Sequence, residues 1–144
     1  MIQVKIKRLW HCVNLPCYAT PGSSGMDLRA AIERGIILSP GKRLFISTGL
    51  SMEIPEGYEG QIRPRSGWAG SRGITVINTP GTIDSDYRGE ILVALVNLGE
   101  SYVTIYPGDK IAQIVFAPIE RAELIEVSEL DCTQRGQGGF GSTD

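Results

Sequence analysis

The sequence holds a single histidine, His11, and three cysteines, Cys12, Cys17 and Cys132, none of them in a CxxC pair. One histidine excludes a multi-histidine zinc centre, and Cys12 and Cys17 lack the spacing of a closed structural zinc site. Three cysteines cannot all pair with one another, and the opening MIQVKIKRLW has no charged-then-apolar signal pattern. The expected compartment is therefore a reducing one, the cytoplasm. No apolar run approaches the ~20 residues of a membrane helix, so no membrane association is expected. Lys plus Arg is 14 against 16 Asp plus Glu, and no basic block is denser than Lys5, Lys7 and Arg8. That balance excludes an electrostatic nucleic-acid binder of the usual basic kind. His11 stands beside Trp10 near the terminus, outside any motif, and is expected at the surface.

What is present is a chain of 144 residues with 42% hydrophobic content, enough for one self-sufficient core. Its 18 glycines and 8 prolines exceed the combined share of about 12% in average proteins, which predicts many turns. Apolar residues recur with period two in Ile2, Val4, Ile6 and again in Leu44, Ile46, Leu50, Met52, Ile54, with Thr48 completing the second row. Both read as half-buried strands. Ile91 to Leu98 is apolar on both faces apart from Asn97, as a doubly covered central strand would be. Val103–Tyr106 and Ile111–Phe116 are two more strands, divided by the turn Pro107-Gly108-Asp109. Only residues 119–135 offer room for a helix of ordinary length. Short strands with regular breaks predict an all-β sandwich or barrel.

Five segments carry residue types suited to chemistry on phosphates. PRSGWAG (64–70) sets Arg65 beside Ser66 and Gly67, a turn able to aim a guanidinium, a hydroxyl and backbone N–H groups at one anion. It is neither a Walker loop nor a dinucleotide fingerprint. NTPGTIDSDYRGE (78–90) reads as a polar hairpin. Within it Asp84 follows Ile83 and precedes an apolar strand, which puts a carboxylate beside buried surface, where it can act as general base toward water. In SSGMDLRA (23–30), Asp27 lies between Met26 and Leu28 and is either a solvent-facing strand residue or a carboxylate near Mg²⁺, an ion that needs only one or two carboxylates besides phosphates. Gln113 sits on a strand apolar on both faces and is either a structural bond-maker or a site residue. The tail RGQGGFGSTD (135–144) has the composition of a frayed end, but Arg135, Phe140, Ser142 and Thr143 suit a flap closing on a nucleotide.

These segments, in this order, resemble the five motifs of the trimeric deoxyuridine triphosphatases (dUTPases). They stand here as ATPGSSGMDLRA (19–30), PRSGWAGSRGI (64–74), NTPGTIDSDYRGE (78–90), YPGDKIAQIVF (106–116) and RGQGGFGSTD (135–144). The resemblance covers essentially the whole chain. It implies a jelly-roll-like β-barrel or sandwich over residues 1–134, a mobile glycine-rich arm over 135–144, and a homotrimer whose sites each draw on all three subunits. It also implies Mg²⁺-dependent hydrolysis of dUTP to dUMP and pyrophosphate, which limits uracil in DNA and supplies dUMP for dTMP synthesis. Asp84 matches the carboxylate that deprotonates the attacking water. Arg65, Ser66 and Gly67 match the phosphate turn, and Gln113 a phosphate-side contact. Asn78, with the backbone of Gly81, Thr82 and Ile83, matches the uracil reader, and Tyr87 the ring beneath the deoxyribose. Arg135, Phe140, Gly141, Ser142 and Thr143 match the closing arm. Asp27 matches an acid that reaches Mg²⁺ through water, the metal being held otherwise by the triphosphate.

The sequence departs from the family pattern at Trp68, where leucine is usual, at Ser71, where lysine is frequent, at Gln137, where a small hydroxyl residue is usual, and at Asp144, where glycine is common. Two other readings share the fold or the cleft. A dCTP deaminase needs a glutamate acting on the base and room for a 4-amino group. A non-catalytic dUTP sensor would not need Asp84 or the closing arm.

Overall fold

The computed structural model describes residues 1–140. Eleven strands and one short helix follow in the order β1 (Lys5–Arg8), β2 (Met26–Arg29), β3 (Ile36–Leu38), β4 (Arg43–Ser47), β5 (Leu50–Glu53), β6 (Tyr58–Arg63), α1 (Ser66–Arg72), β7 (Ile74–Val76), β8 (Gly81–Ile83), β9 (Leu92–Asn97), β10 (Val103–Ile105) and β11 (Lys110–Pro118). The fold class is all-β, as the sequence predicts. A four-stranded sheet runs β2-β11-β6-β8 and a three-stranded one β4-β9-β7, with the pairs β1-β5 and β10-β3 beside them. Every pairing is antiparallel. The described strands form sandwich-like sheets and close no barrel.

The long alternating row became two strands, β4 and β5, bent at Thr48-Gly49. The row still faces inward throughout, because Ile46, Thr48, Leu50, Met52 and Ile54 are all buried. Burying a side chain of this size stabilises by roughly 1.5–3 kcal/mol, which fixes the register of both strands. β9 lies between β4 and β7 and buries Val93, Ala94, Leu95 and Val96 on both faces. Its last residue, Asn97, is fully buried yet satisfied. Nδ2 donates to Leu38 O and Ser101 O at 2.8 Å each, and Oδ1 accepts from Gly99 N at 2.9 Å. Asn97 thereby ties the loop after β9 to β3.

Three expectations are corrected. The strand at Ile2, Val4 and Ile6 is reduced to β1, which pairs only with β5 and leaves Ile6 exposed. Residues 119–135 form no helix, and Leu124, Ile125 and Leu130 are exposed. An apolar face with nothing among the described residues to cover it does not offset the cost of helix nucleation in a segment this short. The helix that does form, α1, falls in the segment read as a turn. Gly73, left-handed at φ 67°, ends it, its N–H bonding Ala69 O at 3.1 Å. Trp68 packs on the core and the Arg72 guanidinium lies 5.1 Å from its ring centroid, so tertiary contacts override the weak propensity of SGWAGSR.

Candidate active site

The hairpin segment builds a cavity. β8 pairs with β6, placing Gly81 opposite Ile62 and Ile83 opposite Gly60. Around it Asn78, Gly81, Thr82, Ile83, Asp84 and Tyr87 line a cavity of about 270 Å³ floored by Phe45, Ile62, Val76, Leu92 and Ala94. That is below the ~300–1,000 Å³ usual for whole ligands and gives room for one compact group. Tyr87 Oη donates to Glu90 O at 2.9 Å, and Tyr87 N to Asp84 O at 3.2 Å, which curls the loop back on itself. Gly89 makes the curl possible, because a Cβ there would lie 2.9 Å from Tyr87 Cε2 and closer still to the phenol oxygen.

Asp84 is exposed in the single chain, where the sequence suggested a half-buried carboxylate. It stands at the rim, because it also lines a second, larger cavity of about 640 Å³. The larger cavity is the poorer home for a polyanion. Glu53, Glu56, Glu59, Asp84 and Asp86 face only Arg88 and Arg121 there. Asp86 lines only that second cavity, so the two aspartates diverge.

A second group assembles on β2, β11 and the start of α1. Asp27 is opposite Gln113, and Gln113 is in turn opposite Arg63. Asp27 faces cations rather than open solvent: Arg65 Nη1 lies 2.6 Å from Oδ1 and Lys110 Nζ 2.7 Å from Oδ2. The arginine contact is close but not in line, so it counts as an ion pair rather than a directed hydrogen bond. Gln113 is half-buried and donates to Pro64 O at 3.0 Å, which anchors the backbone just before Arg65. Ser66 and Gly67 are exposed in the first turn of α1. Beside them a recess of about 410 Å³ gathers Arg29, Arg65, Arg72 and Lys110 against one carboxylate, Asp109. With Asp27 paired to Arg65 and Lys110, the recess still sets four cations against two carboxylates, a net positive charge that suits an anion. Lys110 and Arg29 were missed by sequence reading. The lysine that opens the Gln113 strand was the available signal for the first.

The two groups share no lining residue in one chain. Of the arm, Arg135 Nε bonds Gly138 O at 2.9 Å within the tail, and Phe140 is exposed. Gly141, Ser142, Thr143 and Asp144 lie outside the described residues. Ser71 donates to Gly67 O at 2.6 Å and so stays on its own helix.

His11 is not a free surface residue. Its Nε2 lies 2.9 Å from Glu90 Oε1 and 3.0 Å from Ser47 Oγ, and the Trp10 ring meets its edge at 4.9 Å. Burial alone would raise the Glu90 carboxyl, but donation from Ser47, from His11 and from Gly49 N outweighs it and holds Glu90 below the ordinary carboxylate value. Contacts 36 to 79 residues apart in the chain left no local trace in the sequence.

No group of three His, Cys, Asp or Glu side chains able to hold a metal occurs among the described residues. Asp27 has Arg65 on one carboxylate oxygen and Lys110 on the other, so this single carboxylate builds no protein cage for a resident ion.

The family model for dUTPase matches residues 12–144. The chain belongs to the dUTPase family. A deoxyuridine 5'-triphosphate nucleotidohydrolase of Aquifex aeolicus is 61% identical over 142 residues, covering 97% of this chain and 95% of that one. One from Anaplasma marginale is 53% identical over 145 residues, covering 99% of both. Among solved structures, the dUTPase of Staphylococcus bacteriophage 80alpha with dUpNHpp superposes with a TM-score of 0.90 at 25% identity, covering 100% of this chain and 99% of that one. A dUTPase of phage phi11 of S. aureus, described with a structural Mg(II) ion, has a TM-score of 0.80 at 24% identity, covering 89% and 98%. The dUTPase fold thus extends over the sheets that carry both residue groups.

Proposed function

We propose that this protein hydrolyses dUTP to dUMP and pyrophosphate, with Asp84 as the base for the attacking water. The observation that carries the reading is the cavity in which Asn78, Gly81, Thr82, Ile83 and Tyr87 converge with Asp84 at the rim. The hairpin backbone offers donors and acceptors to a uracil edge, and its tightness excludes a 5-methyl group. Tyr87 packs under the deoxyribose and leaves no place for a 2′-hydroxyl. The α-phosphorus is attacked in line, so the protein's task is positioning and charge stabilisation. Arg65, with Ser66, Gly67 and Gln113 behind it, meets the phosphates. Mg²⁺ carried on the triphosphate would spread its charge, and Asp27 would hold that ion through water.

In one chain the base cavity and the cationic recess are separate, and apolar residues such as Phe45, Leu124, Ile125 and Leu130 are exposed. Both features support a homotrimer in which copies complete one another's sites. The arm, residues 135–144, then closes over the nucleotide, with Phe140 stacking on uracil for roughly 1–3 kcal/mol and Arg135, Gly141, Ser142 and Thr143 on the phosphates. The unpaired thiols Cys12, Cys17 and Cys132 fit a reducing cytoplasm. No helix among the described residues is long and apolar enough to cross a membrane.

Asp84→Asn tests the assignment. Loss of a positioned base costs about 10²- to 10⁴-fold in turnover, while binding of dUpNHpp should stay within a few-fold. Near-normal turnover in the variant refutes Asp84 as base. Ammonia released from dCTP by the unaltered chain would favour a deaminase, and tight dUTP binding without product a sensor.

A further inference from the structure

The cluster of His11, Ser47 and Glu90 plays no part in the chemistry proposed so far. Its composition resembles a nucleophile, base and acid, but its geometry excludes that use. A relay needs the acid on one imidazole nitrogen and the hydroxyl on the other. Here Ser47 Oγ and Glu90 Oε1 both meet Nε2, while Nδ1 is buried without a partner. An ionised carboxylate only accepts, so Nε2 carries the proton and points it at Glu90.

Glu90 ends the loop that holds Asp84 and Tyr87. Its Oε1 collects donors from three places in the chain: His11 Nε2 at 2.9 Å, Ser47 Oγ, and Gly49 N at 2.8 Å. The next residue is fastened to the same strand turn, with Ile91 N donating to Leu50 O at 2.8 Å and Thr48 Oγ1 to Ile91 O at 2.7 Å. Ile91 is fully buried. From this fixed point Glu90 O reaches back to accept the Tyr87 hydroxyl. The turn after β1 is held in place as well, since Leu9 N donates to Gly49 O at 2.8 Å.

We infer that Glu90, held by His11, is a positioning residue. It fixes the loop 84–90 so that Tyr87 lines the base cavity and Asp84 stays at its rim. The N-terminal turn thereby acts on turnover without touching substrate. This rests on the hydrolase reading for its kinetic consequence, but the clamp itself has a readout of its own.

The test compares His11→Ala, His11→Gln and Glu90→Ala with the unaltered full-length chain. Amide hydrogen exchange is followed at Tyr87 and across residues 84–91, with Leu95 in β9 as internal reference. Steady-state kinetics with dUTP and Mg²⁺ are measured alongside, normalised to sites titrated with dUpNHpp. In His11→Ala, exchange at Tyr87 should rise about tenfold or more while Leu95 is unmoved. The kcat per titrated site should fall about tenfold or more, as expected when a base is displaced by a fraction of an ångström. His11→Gln, which keeps a side-chain N–H donor, should recover much of both. If Glu90→Ala fails to fold, the two His11 variants decide alone. Unchanged exchange at Tyr87 in His11→Ala overturns the clamp. Faster exchange with kcat per site unchanged overturns the positioning role and leaves a structural one. An unaltered chain that leaves dUTP intact refutes the hydrolase reading instead, and the exchange data still judge the clamp.

Discussion

Asn97 is the one polar side chain in an otherwise apolar central strand, and replacing it by alanine should be costly. Three hydrogen bonds disappear: to Leu38 O, to Ser101 O and from Gly99 N. At about 1 kcal/mol each, the loss comes to about 3 kcal/mol. For a domain of this size that lowers Tm by on the order of 10 °C. Asn97→Leu restores the volume but not the bonds, so it should remain destabilised and separate hydrogen bonding from packing. Urea unfolding at fixed protein concentration measures both variants, since assembly makes apparent stability concentration-dependent. The loop they release leads to α1, because Leu98 N donates to Gly73 O at 2.8 Å. The proposed phosphate side therefore shares the damage near the transition, while turnover well below it should persist. A loss under about 1 kcal/mol, the ordinary cost of an undistinguished substitution, would refute the pinning role.

Two more expectations follow from the loop that carries Asp84. Gly89→Ala puts a methyl against the Tyr87 ring, and the displaced ring should lower kcat/KM for dUTP about tenfold and narrow the preference over UTP; unchanged values for both nucleotides would show that the ring is not held by this contact. Glu90 titrates below the ordinary carboxylate value, so its contribution to stability is full above the unfolded value and is lost as pH falls through the lower folded one. The Tm gap between the unaltered chain and Glu90→Gln should then be wide at neutral pH and shrink as the pH falls below the ordinary carboxylate range, and a gap independent of pH would contradict it.

The strand rows were legible because burial repeats every second residue, and the row from Leu44 to Ile54 survives the bend at Thr48-Gly49 intact. Asn78, Gly81, Thr82, Ile83, Asp84 and Tyr87 were legible through their resemblance to a single family motif, whereas Phe45, Ile62, Val76, Leu92 and Ala94, which floor the same cavity, come from other strands and carried no such signal. Helix α1 was hidden, since seven residues containing Gly67 and Gly70 carry no helical signal and are held by Trp68 and the Gly73 cap. The segment after Pro118 misled in the opposite sense, because its apolar residues Leu124, Ile125 and Leu130 find no partner surface among the described residues. The Asp27 pairs with Arg65 and Lys110, and the His11–Glu90 contact, join residues far apart in sequence. Only the sheet register brings the first set together, and only the packing of the N-terminal turn against β4 the second.

Regular structure ends at Pro118, yet the described chain continues to Phe140. At about 3.3–3.6 Å per residue, that segment spans on the order of 70 Å when extended, beyond the roughly 40 Å width of a domain this size. A tail of such reach is a tether, and what it carries is present near any site within its radius at an effective concentration in the millimolar range. In the closing role proposed for the arm, Arg135 and Phe140 therefore need only weak contacts to cover a nucleotide. Weak contacts also break quickly, so the same covering group can be released with every product and recruited again for the next substrate.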